Sequence, residues 1–115
     1  MLKIYIATPV NARRERTHEE RYIAARKRVQ HIKEVIAGGI CSPDGLMYNV
    51  GKCVSTFDVN DSCASEAEAM GRCIELLMTC DAIYLDHGWL QSKGCNLEYR
   101  CAKIYGLMVF EHDKL

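Results

Sequence analysis

The sequence has no long apolar run, no excess of charge of either sign and no C-x-x-C motif, and each absence excludes a class of protein. No stretch approaches the roughly 20 consecutive apolar residues that cross a bilayer. Fifteen Lys and Arg balance fifteen Asp and Glu, unlike a basic protein that binds a nucleic acid polymer. The apolar run at the start of the sequence is too short for the apolar region of a secretory leader and runs into Thr8 and Pro9. We expect a cytoplasmic protein whose partners include no membrane and no nucleic acid polymer.

The seven cysteines are too scattered for a metal or disulfide framework. Their number is odd, and no His stands near two of them. This pattern predicts reduced, buried cysteines that pack as small apolar residues. We therefore expect no metal site.

Charge is unevenly distributed along the chain. Residues 1–57 hold ten of the fifteen basic residues. A basic run of this kind usually forms a solvated helix face, and the alternative is that part of it holds an anionic ligand. The run contains Arg13, Arg14, Arg16, Arg21, Arg26, Lys27 and Arg28.

Length and periodicity predict a single domain over residues 1–115, in which strands and helices alternate. The predicted strands are Leu2–Ala7, Lys52–Val59, Ala82–Leu85 and Leu107–Phe110. Predicted helices begin after Thr17, Ser65 and Ser92, each a good N-cap residue. A turn is predicted at 42–45, and the last five residues are expected to fray. This order predicts an α/β fold with a four- or five-stranded parallel sheet between helices.

Ligands bind such sheets beyond the carboxyl ends of the strands, so the loops 8–16, 58–65 and 86–92 are candidates. After the third strand, Ser92 begins a helix, and Gly94 in its first turn lets a ligand or a neighbouring backbone approach closely. A helix start favours an anion. Glu98 follows Gly94 by one turn and shares its face. A carboxylate beside an anion site is a candidate catalytic arrangement.

Two motifs resemble the nucleoside 2-deoxyribosyltransferase superfamily. The first is the strand and turn K-I-Y-I-A-T-P at 3–9, and the second is C-D-A-I at 80–83 followed by G-W-x-x-S-x-G-x-x-x-E at 88–98. Their form is that of a small branch of unknown function from bacteria and phages. The resemblance implies a flavodoxin-like three-layer fold, a homodimer or higher homo-oligomer, and no cofactor. It also implies cleavage of the N-glycosidic bond of a nucleoside or nucleoside 5′-monophosphate, with water or a second base as acceptor.

Residue roles follow from the same resemblance. Glu98 would be the nucleophile, Tyr5 would orient it, and Ser92 with Gly94 would hold a phosphate. Thr8 and Pro9 would cover the sugar or phosphate. Alternatively, Tyr5 is simply a core residue.

Two loop residues are further candidates. Trp89 is placed where it can stack on a base, or else form a lid or dimer contact. Asp86 is a candidate partner of the ribose or base.

One departure from the superfamily concerns the acid that assists the leaving base, since Cys73 stands where many members carry Asp. A thiol is a poor general acid. Either Asp58, Asp61, Glu66 or Asp86 replaces it from a loop, or this branch has a different reaction, or the protein only binds its ligand. Three hypotheses remain: an N-glycosidase-like enzyme, a nucleotide-binding module without turnover, and a structural protein that keeps only the fold.

Overall fold

The computed structural model describes residues 1–10, 17–61 and 65–115. Its strands are β1 (Leu2–Ala7), β2 (Ile40–Cys41), β3 (Met47–Tyr48), β4 (Val50–Ser55), β5 (Ala82–Leu85) and β6 (Met108–Glu111). Four of them form a parallel sheet in the order β4-β1-β5-β6. The direction of strand addition reverses between β1 and β5, and such a reversal opens a crevice at the carboxyl ends of the strands.

Three helices connect the strands: α1 (His18–Ile36), α2 (Glu66–Leu77) and α3 (Lys93–Ile104). Each begins at the predicted cap. The side chains of Thr17, Ser65 and Ser92 accept a hydrogen bond from the backbone N–H three residues later, which satisfies one of the unpaired amides of the first turn. The local sequence therefore determines where each of these three α-helices starts.

The helices cover both faces of the sheet, which confirms the predicted flavodoxin-like three-layer α/β fold. Successive residues of a strand point to opposite faces, and β1 illustrates this. Ile4 and Ile6 pack with the buried face of α1. Tyr5 and Ala7 belong to the other cluster, which includes buried residues of α2 and α3. The strand order makes this sheet four-stranded.

The predicted bounds of the strand Lys52–Val59, which corresponds to β4, were wrong at both ends. It begins at Val50 and stops at Ser55, where the chain turns into a short 3-10 helix, Thr56–Asp58. The Ser55 hydroxyl accepts from the N–H of Phe57, and Asp58 accepts from the N–H of Ser55 at 2.7 Å. This reciprocal cap ends the strand before the predicted boundary.

The predicted 42–45 turn is confirmed by a hydrogen bond from the N–H of Gly45 to the carbonyl of Ser42 at 2.9 Å. It joins β2 and β3 as a small antiparallel hairpin, which the sequence analysis did not predict.

The carboxyl-terminal residues are ordered, contrary to expectation. They form a 3-10 turn, His112–Lys114. The Tyr84 hydroxyl lies 2.8 Å from His112 Nδ1, and His87 Nδ1 lies 3.0 Å from Asp113. Polar composition predicted fraying, but these side-chain contacts to β5 and the loop after it hold the segment.

The cysteine prediction holds in part. Within the described residues six cysteines are free thiols, of which Cys73, Cys80 and Cys95 are buried. Cys53 and Cys101 are half-buried, and Cys41 is exposed, against expectation. Cys63 lies outside the described residues. In the part of the chain that the structure covers, no helix is long and apolar enough to cross a membrane.

Candidate active site

A pocket of about 300 Å³ opens beside the carboxyl ends of β1 and β4, facing α2 and α3. Its volume is at the lower end of the range of about 300–1,000 Å³ for small-molecule sites. Its wall includes the end of β1, the segment after β4 and the first turns of α2 and α3. The pocket therefore lies where the parallel sheet predicts a ligand site.

Glu98 and Tyr5 meet in this pocket. Glu98 is only 5% exposed, and burial raises its pKa to about 7, against a lowering effect of the hydrogen bond from Tyr5. Its Oε2 atom is buried and has no hydrogen-bond partner among the described residues. Burial, followed by the charge of Glu98, raises the pKa of Tyr5 well above its ordinary value. Tyr5 therefore stays protonated and donates to the carboxylate, which keeps one oxygen free.

Cys73 lies beside this pair. Its thiol donates to Thr56 Oγ1 at 3.1 Å and accepts from Asn60 Nδ2 at 3.4 Å. The nearby Tyr5 side chain acts to lower the pKa of this thiol. Burial raises the pKa of Cys73 despite these bonds. Cys73 therefore lies in the pocket beside Tyr5 and Glu98 as a neutral thiol.

The start of α3 lines the same pocket through Ser92, Gly94 and Cys95. Ser92 Oγ accepts from the Cys95 N–H at 3.2 Å, so its hydroxyl hydrogen remains available to a ligand. A Cβ added at Gly94 would lie 3.3 Å from Met70 Sδ and 3.9 Å from Ser92 Oγ. The glycine therefore permits close packing of α3 on α2, besides lining the pocket.

Aromatic and acidic residues form other parts of the wall. Tyr22 and Phe57 make an edge-to-face contact with ring centroids 4.9 Å apart. Asp61 and Glu66 also line the pocket. Of the four acids that were candidates to replace the missing Asp, these are the two in the pocket. Asp58 is used in the cap after β4.

Asp86, the fourth candidate, lies on the opposite face of the sheet. Alternation along β5 places Leu85 with the α2 and α3 cluster and Tyr84 with the α1 cluster, so Asp86 follows Tyr84. Its carboxylate, in a residue only 2% exposed, is bound by Arg28 at 2.8 and 2.9 Å. The structure thus pairs Asp86 with Arg28 instead of placing it against a ligand in the Glu98 pocket.

The other predicted residues divide between two cavities. Thr8 lines both the Glu98 pocket and a second cavity on the α1 face, whereas Pro9 lines the second cavity. Trp89 is 8% exposed and packs on Tyr99, with ring centroids 4.9 Å apart. It is not among the described residues that line the Glu98 pocket. Buried against Tyr99, Trp89 is not placed to stack on a base in this pocket, and its low exposure does not favour the lid or dimer contact that was the alternative.

Sequence reasoning missed the partners of Cys73, namely Thr56 and Asn60, and the aromatic pair Tyr22 and Phe57. The loop 58–65 was singled out, which covers Asn60, but the strand predicted through Val59 hid Thr56 and Phe57. Asn11 and the arginines at 13, 14 and 16 lie outside the described residues. Across residues 1–10, 17–61 and 65–115, no three His, Cys, Asp or Glu side chains form a metal-binding group.

Comparison with protein families gives one match, to a family described as "Domain of unknown function (DUF4406)", over residues 2–111. The chain belongs to this family. No curated protein matches it. The matched residues include the four strands of the parallel sheet and the helices α1, α2 and α3, so Tyr5, Cys73 and Glu98 all lie within the family domain.

Proposed function

We propose that the protein is an N-glycosidase-like enzyme that acts on a nucleoside or nucleoside 5′-monophosphate, with Glu98 as the nucleophile. The observation that carries the proposal is the buried Glu98 carboxyl, held by Tyr5 and left with one unpartnered oxygen in a pocket at the end of the sheet. The resemblance of the two sequence motifs to nucleoside 2-deoxyribosyltransferases supports the substrate class.

The reaction has two steps. The ionised Glu98 attacks C1′ of the sugar, a C–O bond forms, and the C1′–N bond breaks with its electron pair moving to the base. The departing base takes up a proton. Water or a second base then attacks C1′ and releases the glutamate. Tyr5 orients the carboxylate and stabilises its charged form, since it donates a hydrogen bond to that form.

The proton for the leaving base is assigned to an acid of the pocket wall. Cys73 does not suit this role because its thiol pKa is raised. Asp61 and Glu66 both line the pocket and are the acids we propose. The Tyr22 and Phe57 rings offer an apolar surface for the base, and the Ser92 hydroxyl offers a hydrogen bond to a phosphate.

A second candidate function is nucleotide binding without turnover. The observation that favours it is the neutral thiol of Cys73 beside Tyr5 and Glu98, where the resemblance implies an acid in many members of the superfamily. Such a protein would bind the same ligands and release no base.

The test is a chromatographic assay for free base, with ribo- and deoxyribonucleosides, their 5′-monophosphates and an acceptor base. We expect release from one class of substrate, and we expect Glu98→Ala and Glu98→Gln to abolish it without unfolding the protein. The matched control is Glu75→Gln, which makes the same substitution at an exposed glutamate of α2. A Glu98→Ala protein of full activity would refute the mechanism. If the wild type binds these ligands and releases no base, the result would favour nucleotide binding without turnover.

We also propose that the protein forms a homodimer. Four large apolar residues on and beside α3 are 45–76% exposed, namely Leu90, Leu97, Ile104 and Tyr105. Leu97 and Ile104 are two turns apart and share a face of the helix. A second copy packed on this face would cover them. Light scattering at micromolar concentration tests this, and a strict monomer would contradict it.

A further inference from the structure

The second cavity lies on the α1 side of the sheet and plays no part in the proposed reaction. It has a volume of about 660 Å³ and is formed by the ends of β1 and β5, one face of α1, and His112. Because α1 and the pair α2 and α3 cover opposite faces, the sheet separates most of this cavity from Glu98. Thr8 and Val10 are the residues common to both walls.

Its basic character comes from a single stripe of α1. Arg21, Ala24, Ala25 and Arg28 follow the i, i+3, i+4, i+7 spacing of one helix face, and all four line the cavity. The two alanines leave space between the two long side chains. Two interpretations of the basic run were open, a solvated helix face and a site for an anionic ligand. Two of its arginines, Arg21 and Arg28, line this concave wall.

The two arginines differ in their partners. Arg28 Nε and Nη2 bind Asp86, which also accepts from the His87 N–H at 2.8 Å. Arg21 has no such acid. Its Nε is buried and makes no hydrogen bond within the described residues. A buried guanidinium N–H without a partner is costly, and a rotation of the Arg21 side chain that turns this group towards an acceptor bound in the cavity would satisfy it.

The charge of the wall also favours an anion. Asp86 is the one acid among the described residues that line the cavity, and Arg28 neutralises it. Among the described residues that line the cavity, no acid is left to compensate the positive charge of Arg21. His112 joins the same wall, and its Nδ1 is engaged by the Tyr84 hydroxyl, so its Nε2 is available for another contact.

We propose that this cavity binds the oxyanion group of a small molecule, a phosphate ester or a carboxylate, through Arg21. The planar guanidinium presents paired N–H groups that match either oxyanion. The cavity is larger than its oxyanion alone requires, so the remainder of the ligand also lies inside it. The site is independent of Glu98 and of the proposed glycosidase activity.

The experiment titrates the full chain with inorganic phosphate and, separately, with succinate, followed by amide chemical shifts. We expect saturable shifts at Ala24, Ala25 and Gly88, and we expect Arg21→Gln to weaken binding about tenfold or more. Arg26→Gln removes the same charge from an exposed position of α1 and should leave binding within about twofold. Tighter binding of phosphate identifies a phosphate ester, and tighter binding of succinate identifies a carboxylate.

Two further variants separate this site from the Glu98 pocket. Ser92→Ala and Glu98→Gln alter the pocket and should leave the Arg21-dependent binding unchanged, whether or not the protein releases base. An equal loss of anion affinity in Arg21→Gln and Arg26→Gln would overturn the proposal. Amide chemical-shift changes confined to the region of Ser92 would overturn it too. Absence of saturable binding by either anion at about 10 mM, a concentration that detects even millimolar affinity, would overturn it too.

Discussion

The Tyr5 side chain stabilises the charged form of the buried Glu98 carboxyl, and this interaction joins the first strand of the sheet to its last helix inside one pocket. Two effects on the Glu98 pKa oppose each other. Burial raises it, and the Tyr5 bond lowers it, with a resulting value of about 7. Glu98 therefore changes charge in the range where an enzyme near neutral pH works, which is typical of functional carboxyls.

Tyr5→Phe should raise the Glu98 pKa further, because it removes the hydrogen bond that stabilises the charged form. A hydrogen bond to a charged group contributes about 1.5–3 kcal/mol. If Glu98 is the nucleophile, base release at pH 7 should fall about tenfold and recover in part at higher pH. The pH profile of kcat/KM measures the shift.

The control for this variant is Tyr99→Phe. Tyr99 packs on Trp89 and is not among the described residues of the Glu98 pocket, so its hydroxyl should not affect the profile. A Tyr5→Phe protein whose profile matches the wild type, with a lower rate at every pH, would contradict the orienting role as we describe it.

The raised pKa of Glu98 has a consequence for stability. A carboxyl whose pKa is higher in the folded state than its ordinary value of 4.5 binds more protons when folded. Its contribution to stability is therefore intact below about pH 4.5 and is lost as the pH rises to about 7. A shift of this size corresponds to about 3 kcal/mol.

Glu98→Gln should remove this pH-dependent loss, because the amide stays neutral. Urea unfolding at pH 8 should find the variant more stable than the wild type by up to about 3 kcal/mol, and the difference should shrink towards pH 4.5. Glu75→Gln, at an exposed site, should show no such trend. A constant difference between Glu98→Gln and wild type across the range would count against the buried, titrating carboxyl.

Cys73→Asp should increase base release about tenfold, which is less than the full contribution of a positioned general acid because Asp61 or Glu66 already supplies a proton in the wild type. The position is 3% exposed and neighbours Tyr5 and Glu98. Burial and the nearby carboxylate would favour the protonated form of an Asp there, which is the form that donates a proton. Cys73→Ser is the matched control because it is similar in size and has no acidic group. An Asp variant no faster than the Ser variant would contradict this role for the position.

The fold was predictable because its signals are local. Thr17, Ser65 and Ser92 mark the helix starts through their own hydroxyls. The two central strands, β1 and β5, are short apolar runs whose residues are mostly buried. The boundary of β4 was not predictable in this way. Ser55 and Asp58 had to be recognised as a reciprocal cap inside a stretch whose alternation continued to Val59.

The candidate site was predictable only where spacing fixes geometry. Gly94 and Glu98 share a helix face because they are one turn apart, and the strand–helix order brings Tyr5 to the same end of the sheet. The side-chain partners depend on tertiary packing that no spacing encodes. Asp86 illustrates this, because its role depends on strand alternation and on an arginine of a distant helix.

The Arg28–Asp86 pair should make a large contribution to stability. Asp86 is 2% exposed and depends on Arg28 for charge compensation, while the Arg28 side chain is 35% exposed. Arg28→Gln leaves a buried carboxylate without its cation, and losses of about 3–5 kcal/mol follow when one member of a buried pair is removed. We expect a loss near the lower end, because solvent reaches Arg28. Lys114→Gln breaks an exposed pair with Glu111 and should cost less than about 1 kcal/mol. Equal losses in the two variants, measured by urea unfolding at pH 7, would show that the Arg28–Asp86 pair contributes no more than a surface ion pair.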